Sequence, residues 1–219
     1  MSESSTPATS AQSAASDQRS VVKAAGIIGI GTFASRILGF IRDMVMAGLF
    51  GATAAADAFY VAFRVPSLLR ELFAEGSMSA AFIPVFTEYH QQKTKREAWE
   101  LASAVFTTLL TIVTGTVLIG IAVTPAIVWY LAPGFHGDPA KLTLAVVLSR
   151  VMFPYLLFIS LAALAMGILN SLRAFAAPAF SPLFLNVFMI GCALFLSPHL
   201  PEPIIGVAIG VVAGGAAQF

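Results

Sequence analysis

Long apolar runs dominate this sequence and limit what it can fold into. Six runs approach or exceed spanning length, at roughly residues 21–50, 57–88, 101–131, 141–170, 179–197 and 203 to the end. About 20 apolar residues are needed for a helix to cross the hydrocarbon core of a bilayer. Only 11% of the residues are charged, against about 25% in soluble domains. We therefore expect an all-α fold, a polytopic bundle of six transmembrane helices.

The two ends of the chain differ in composition. Residues 1–20 are rich in Ser, Ala, Thr and Gln and contain no hydrophobic run, which predicts a disordered tail. The apolar run after Lys23 is too long for the core of a secretory signal. The sixth run stops at Phe219 while still apolar. We therefore expect residues 21–219 to be a truncated part of a longer membrane protein.

Basic residues between the runs predict the orientation. Six of them fall on one side if the segments alternate across the membrane: Arg19, Lys23, Lys93, Lys95, Arg96 and Arg173. The other side receives only Lys141. Because Lys and Arg accumulate in cytoplasmic loops, we expect a cytoplasmic N-terminus.

Five arginines lie inside hydrophobic runs: Arg36, Arg42, Arg64, Arg70 and Arg150. Each costs about 2.5–3.5 kcal/mol at a helix centre on insertion scales, and arginine does not lose its proton. The usual compensation is a hydrated cavity inside the bundle. Four of the five crowd the first two runs, so we expect the cavity to lie there.

The depth of two of these arginines matches. Arg36 follows Lys23 by 13 residues, and Arg70 follows Asp57 by 13 residues. At 1.5 Å per residue, both lie about 20 Å into the membrane, on segments that run in opposite directions. We therefore expect Arg36 and Arg70 to lie near the midplane, with Arg42 and Arg64 closer to the outer face.

Nearby acids are candidates for supporting charges. Asp43 follows Arg36 by seven residues, and Glu71 follows Arg64 by seven, which places each pair on one helix face. Glu75 is a further candidate counter-charge to Arg70 or Arg36. The alternative for these arginines is ion pairing that joins helices, or snorkelling of the side chain to the interface. For Arg150 we expect snorkelling.

The chemistry of this arginine group favours an anionic ligand. Guanidinium groups bind phosphate or diphosphate through paired, directional hydrogen bonds. No Gly-rich phosphate loop and no nucleophile constellation is present, and His90, His136 and His199 lie far apart in sequence, so we expect neither cofactor nor metal. A net charge of +1 argues against a nucleic-acid partner.

Small residues and prolines predict how the helices pack. Gly31, Ser35 and Gly39 recur every four residues, a stripe that lets another backbone approach, although Gly is also tolerated locally in membrane helices. Prolines within the runs are expected to bend them, at Pro66, Pro84, Pro125, Pro154 and Pro182.

Several motifs resemble those of one transporter family. They are SRILGFIRD at 35–43, DAF at 57–59, PSLLR at 66–70, FAEG at 73–76 and AFIP at 81–84. Further along lie APGF at 132–135, FPY at 153–155 and APAF at 177–180, followed by Pro182 and Asn186. Over about residues 21–219 the chain resembles the lipid II flippase family (MurJ, also called MviN), of the multidrug/oligosaccharidyl-lipid/polysaccharide exporter superfamily.

The resemblance implies a fold and an activity. Such proteins have two lobes of six helices, and members like this one usually add two more helices, so this chain corresponds to the N-lobe and lacks the C-lobe. The implied activity is export of an undecaprenyl-diphosphate-linked peptidoglycan precursor across the bacterial cytoplasmic (inner) membrane by alternating access. The implied cavity residues are Arg36, Arg42 and Arg70, arranged with the help of Asp43 and Asp57.

Two other classes of function stay open on the residues alone. A multidrug antiporter or another polysaccharide-lipid flippase of the same superfamily shares this architecture, but the arginine excess argues against a cationic substrate. A membrane enzyme or assembly subunit acting on polyprenyl-diphosphate lipids also needs arginines, and Asp43 or Glu75 are its only candidate acids. Chemical conversion of the lipid, instead of its movement across the membrane, would identify that class of enzyme.

Overall fold

The computed structural model describes residues 7–71, 78–172 and 174–219, and in these ranges every regular element is helical. The helices are α1 (Pro7–Phe50), α2 (Ala54–Arg70), α3 (Met78–Gln92), α4 (Lys95–Leu131), α5 (Pro139–Met152), α6 (Pro154–Ser171), α7 (Ala176–Gly191) and α8 (Ile204–Gln218). Short 3-10 turns lie at Pro133–Phe135 and Ser197–His199, and a π-helical turn at Cys192–Leu196 continues α7. The predicted all-α membrane fold is confirmed.

Four helical stretches in the described residues are long and apolar enough to cross a membrane. They are Ala25–Phe50, Lys95–Leu131, Pro139–Ser171 and Ala176–His199. Helix α8 is a shorter apolar helix. These five elements match five of the six predicted runs. The full count of six and the cytoplasmic N-terminus stay predictions.

The second predicted run, 57–88, falls on two described helices, α2 and α3. Residues 72–77 between them, which include Glu75, lie outside the described residues. The two helices pack against different neighbours: α2 lies along α5 and α6, whereas α3 lies along α6 and α4. The second run therefore contacts most of the bundle.

Helix α1 begins at Pro7, within the segment predicted to be a disordered tail. For residues 7–20 the structure differs from that prediction. Ala and Gln are good helix formers, and extending a helix that the apolar run has already nucleated costs far less than starting one. Residues 1–6 lie outside the described residues.

Local capping chemistry sets where several helices start. Thr53 caps α2 by accepting a hydrogen bond from the Ala56 amide, directly after Gly51 turns the chain with a positive φ of 53°. Thr94 and Glu97 form a reciprocal capping box at the start of α4. Asp138 caps α5, with Pro139 as its first residue. These caps place the first turns of α2 and α5 in defined positions.

The core is built around the α5–α6 span. Of its most apolar window, 56% is buried inside the bundle, against 6% for the α1 span. One hydrophobic cluster joins α2, α5, α6 and α8 through Phe59, Leu148, Tyr155 and Val207. A second cluster joins α3, α4 and α6 and includes Phe86 and Val113. Helix α6 contributes to both clusters and belongs to the most buried of the four long apolar stretches, so it is the centre of the described bundle, and α1 lies at its edge.

Helix α1 is held at that edge mainly by α7. A Cβ atom at Gly31 would collide with the backbone carbonyl of Ala179, so the two backbones nearly touch. One turn further, the Ser35 carbonyl accepts a 3.4 Å hydrogen bond from the Asn186 side chain. A Cβ at Gly39 would lie 3.9 Å from the same amide nitrogen. The predicted small-residue stripe is confirmed as the α1 face that contacts α7.

A second stripe of small residues, absent from the sequence-based predictions, lies on α8. A Cβ at Gly210 would lie 2.9 Å from the Phe188 carbonyl oxygen, and one at Gly214 would lie 2.8 Å from the Leu185 Cα. Helix α7 is therefore packed against small residues on two sides, α1 on one and α8 on the other. Close backbone approach is how membrane helices associate where the hydrophobic effect offers little.

We expect Gly31→Leu to destabilise the protein by about 1–3 kcal/mol, because the new side chain must push the α7 backbone away. Gly29→Leu is the matched control, since a Cβ at Gly29 meets nothing within 4 Å. The measurement is the thermal unfolding midpoint of the protein in detergent. Equal midpoints for the two variants would show that the α1–α7 contact does not require glycine.

Candidate functional site

Arg42 of the predicted group makes three hydrogen bonds to described side chains. Its Nε and Nη2 donate to Oδ1 of Asp43 at 3.0 and 2.8 Å, and its Nη1 donates to Oδ1 of Asn186 at 3.0 Å. The Arg42 side chain is 25% exposed, whereas Asn186 is buried. A guanidinium has five N–H donors, so two remain without a described partner. Arg42 is held in one orientation and still has N–H groups to offer an anion.

Asn186 connects α1 to α7 at this point. Its Oδ1 accepts from Arg42, and its Nδ2 donates to the carbonyl of Ser35. Its side-chain amide thus bonds to two groups of α1, one backbone and one side chain. The close approach at Gly31 and Gly39 brings α7 near enough for both bonds. The small-residue stripe and the Arg42 site are therefore parts of one interface.

In the sequence Asn186 stands out only as part of a motif that resembles the family's, with no predicted role. The available signal is its position in the apolar helix α7, between Leu185 and Val187. A side-chain amide in the hydrocarbon region needs a hydrogen-bond partner, since none is supplied by lipid. An isolated Asn in such a run is therefore a candidate for contacts between helices.

Asp43 pairs with its neighbour Arg42 and not with Arg36. Spacing alone placed Asp43 and Arg36 on one helix face. Adjacent residues on a helix normally point apart, but the long Arg42 side chain reaches the exposed Asp43 carboxylate. Arg36 is exposed and makes no hydrogen bond or ion pair with any described residue. Arg36 is thus left available to a ligand.

Asp57 pairs with a lysine of α5. Its Oδ2 accepts a 2.6 Å hydrogen bond from Nζ of Lys141, which also lies 4.4 Å from the centroid of the Phe135 ring. This ion pair joins the first turn of α2 to the first turn of α5. Along α2, Asp57 is about 20 Å from Arg70. The contacts of Asp57 are therefore those of a helix-joining charge at one end of the bundle.

The other predicted side chains lie on α2. Arg64 is exposed, and Arg70 is half-buried in the last turn of α2. Spacing places Arg64 and Glu71 on one helix face, but Arg64 forms no ion pair with a described residue. Helix α2 packs along α5 while α1 packs along α7, and the two helices make little contact with each other. The α1 and α2 arginines are therefore carried by separate supports.

Metal chemistry has no visible support in the part of the chain that the structure describes. No three His, Cys, Asp or Glu side chains there lie close enough to hold a metal ion. Two apolar cavities on the described surface lie away from the arginines. One of ≈ 460 Å³ borders the π-helical turn at Phe188, Cys192 and Phe195, and one of ≈ 240 Å³ lies between α4 and α6.

Comparison with known proteins identifies the family. The profile of the family "Lipid II flippase MurJ" matches residues 46–219. A probable lipid II flippase MurJ of Vibrio cholerae is 45% identical over 206 residues, which cover 91% of this chain and 39% of that protein. A lipid II flippase MurJ of Burkholderia cenocepacia is 43% identical over 188 residues, covering 86% of this chain and 36% of that protein.

A solved structure supports the same assignment. The chain superposes on a lipid II flippase MurJ in an inward closed conformation with a TM-score of 0.72 and 32% identity, covering 87% of this chain and 40% of that one. The chain thus spans about two fifths of the length of these relatives. The chain belongs to the lipid II flippase MurJ family.

Proposed function

We propose that this chain is the arginine-bearing N-lobe of a flippase that moves lipid II across the bacterial cytoplasmic membrane. The ligand of the site is the diphosphate of the undecaprenyl-linked precursor. Three side chains bind it: Arg36, Arg42 and Arg70. The observation that carries the proposal is the orientation of Arg42, which keeps two N–H donors available while three others hold it in place.

The electrostatics of the site suit a multiply charged anion. Arg36 has no described counter-charge, and the one carboxylate beside Arg42 is 59% exposed and therefore strongly hydrated. The described part of the α1 site thus keeps net positive charge. In a low-dielectric surrounding that charge is costly without a ligand, and a diphosphate compensates it through charge-assisted hydrogen bonds.

The proposed transport mechanism uses the fact that the two helices that carry the arginines pack against different helices. Helix α1 rests on α7 at the edge of the bundle, and α2 rests on the central α5–α6 span. In our proposal the diphosphate binds between them, and the C-lobe of the full protein closes the other side. Rocking of the two lobes then exposes the site to each leaflet in turn, while the lipid tail stays in the bilayer. The charged group never enters hydrocarbon.

We expect Arg36→Ala, Arg42→Ala and Arg70→Ala each to weaken lipid II binding and flipping about 10-fold or more, since a hydrogen bond to a charged group is worth about 1.5–3 kcal/mol. The measurement is lipid II flipping in proteoliposomes that contain the full-length protein encoded by the gene. Arg96→Ala is the control, because among the described residues Arg96 pairs only with the exposed Glu100. Near-normal flipping in both the Arg36 and Arg70 variants would refute the proposed site.

Replacing Asn186 tests whether the orientation of Arg42 matters. Asn186→Ala removes the α7 support of Arg42, and we expect lipid II affinity to fall several-fold. We expect Asn186→Asp to weaken binding further, because the new carboxylate competes with the diphosphate for Arg42. The measurement is lipid II affinity in detergent. The control is Asn170→Asp, at an α6 asparagine whose side chain bonds to no described residue. Stronger binding by Asn186→Asp than by Asn186→Ala would contradict this role.

A further inference from the structure

Pro125 leaves a backbone acceptor of α4 without its helical donor. Proline has no N–H, so it cannot donate to the carbonyl four residues earlier, which belongs to Ile121. Ile121 lies ten residues before the end of α4 at Leu131, or about 15 Å from that end. The exposed Trp129 and Tyr130 mark this end as interfacial. The Ile121 carbonyl is therefore near the middle of the hydrocarbon, where an unpaired acceptor is costly.

Arg150 supplies the missing donor. Its Nε donates to the Ile121 carbonyl at 3.3 Å. Arg150 follows Pro139, the first residue of α5, by 11 residues, which places it about 16 Å from the same end of the bundle. The sequence predicted snorkelling for this arginine, and the structure shows that the exposed Arg150 side chain also has a hydrogen-bond partner on α4. Two costly features of the sequence, a proline within a membrane helix and an arginine within another, compensate each other.

A second proline lies opposite the first. Pro154 begins α6 and cannot donate to the carbonyl four residues before it, which is that of Arg150 itself. Phe153 joins α5 to α6 at this break, and a Cβ at Gly120 of α4 would collide with its ring. The part of α4 just before Pro125 therefore packs directly on the break between α5 and α6. Arg150 is the residue that bridges them.

We propose that these two proline breaks form one hinge and that Arg150 is its latch, a positioning residue for transport. While the Arg150 hydrogen bond is formed, it fixes the position of the Pro125 site in α4 relative to the Pro154 site between α5 and α6. One side-chain hydrogen bond breaks more easily than a run of helical hydrogen bonds. When the bond from Arg150 to Ile121 breaks, both proline sites can change angle in the same movement. Helix α2 lies along α5 and carries Arg64 and Arg70, so the hinge sets the position of those arginines. That last consequence rests on the proposed function, whereas the latch does not.

A double-mutant cycle tests the latch without any substrate. Pro125→Ala restores an N–H to the Ile121 carbonyl and makes the Arg150 bond unnecessary. We expect Arg150→Ala to lower the unfolding midpoint in detergent at least about twofold more in the parent protein than in the Pro125→Ala background, since residues that share a partner are not additive. Equal losses in the two backgrounds overturn the latch. Pro139→Ala is the matched control and should be additive with Arg150→Ala, because a first-turn proline withholds no helical donor.

A pair of donor and non-donor variants keeps the test decisive if Arg150→Ala does not fold. Arg150→Gln keeps N–H donors, and Arg150→Met has a similar length without them. We expect Gln to restore stability relative to Met with Pro125 present, and the two to be equal in the Pro125→Ala background. Equal midpoints with Pro125 present count against the latch.

Transport by the single variant Pro125→Ala tests the hinge. An α4 with its full set of backbone hydrogen bonds bends less, so we expect slower lipid II flipping by a protein that is as stable as the parent and binds lipid II equally well. Flipping at the parent rate overturns the hinge. This outcome is distinct from failure of the proposed function, because that failure appears in the parent chain itself as an absence of lipid II binding.

Discussion

A polar group inside a bilayer has no water to bond with, and its alternatives are few. It must find a partner on its own helix, on another helix, or in a ligand. Most of the specific contacts in this bundle follow from that constraint. The Asn186 amide bonds to α1, and the Arg150 guanidinium bonds to a carbonyl of α4. Polar side chains that would each destabilise the protein if unpaired thus form the hydrogen bonds that determine which helices are neighbours.

The same constraint separates two kinds of arginine. Arg150 has its partner on α4 and serves the fold. Arg42 has partners for three of its N–H groups and keeps others in reserve, and Arg36 has no partner among the described residues. An arginine whose N–H groups are not all bonded within the described bundle is the one expected to bind a ligand. The number of N–H donors left without a partner, more than burial or charge, distinguishes a binding arginine from a structural one.

Packing gives these polar links their geometry. Glycines on α1 and α8 let both helices approach α7 at backbone distance, and only at that distance does a short side chain such as Asn186 reach a carbonyl of α1. The larger apolar side chains instead form the core around α5–α6. Small residues therefore carry the contacts at the edge of the bundle, where the candidate site lies, and large residues stabilise its centre.

The sequence by itself determined the class of fold, the small-residue stripe and the arginines as the costly residues, because length, hydropathy and the energy of burying a charge are properties of single segments. The family assignment likewise rested on short motifs that are continuous in the chain. Partnerships were a different matter. Spacing placed Asp43 on one helix face with Arg36, whereas the structure pairs Asp43 with Arg42. The family resemblance implied a cavity role for Asp57, which stays a prediction, and the structure shows its ion pair with Lys141. Arg150 was expected to reach the interface, and the structure shows a partner for it on α4. Side-chain reach and the carbonyl freed by Pro125 involve distances between helices, which hydrophobic periodicity does not encode. Only the tertiary structure decided which polar groups meet, because each bond depends on how closely two backbones approach.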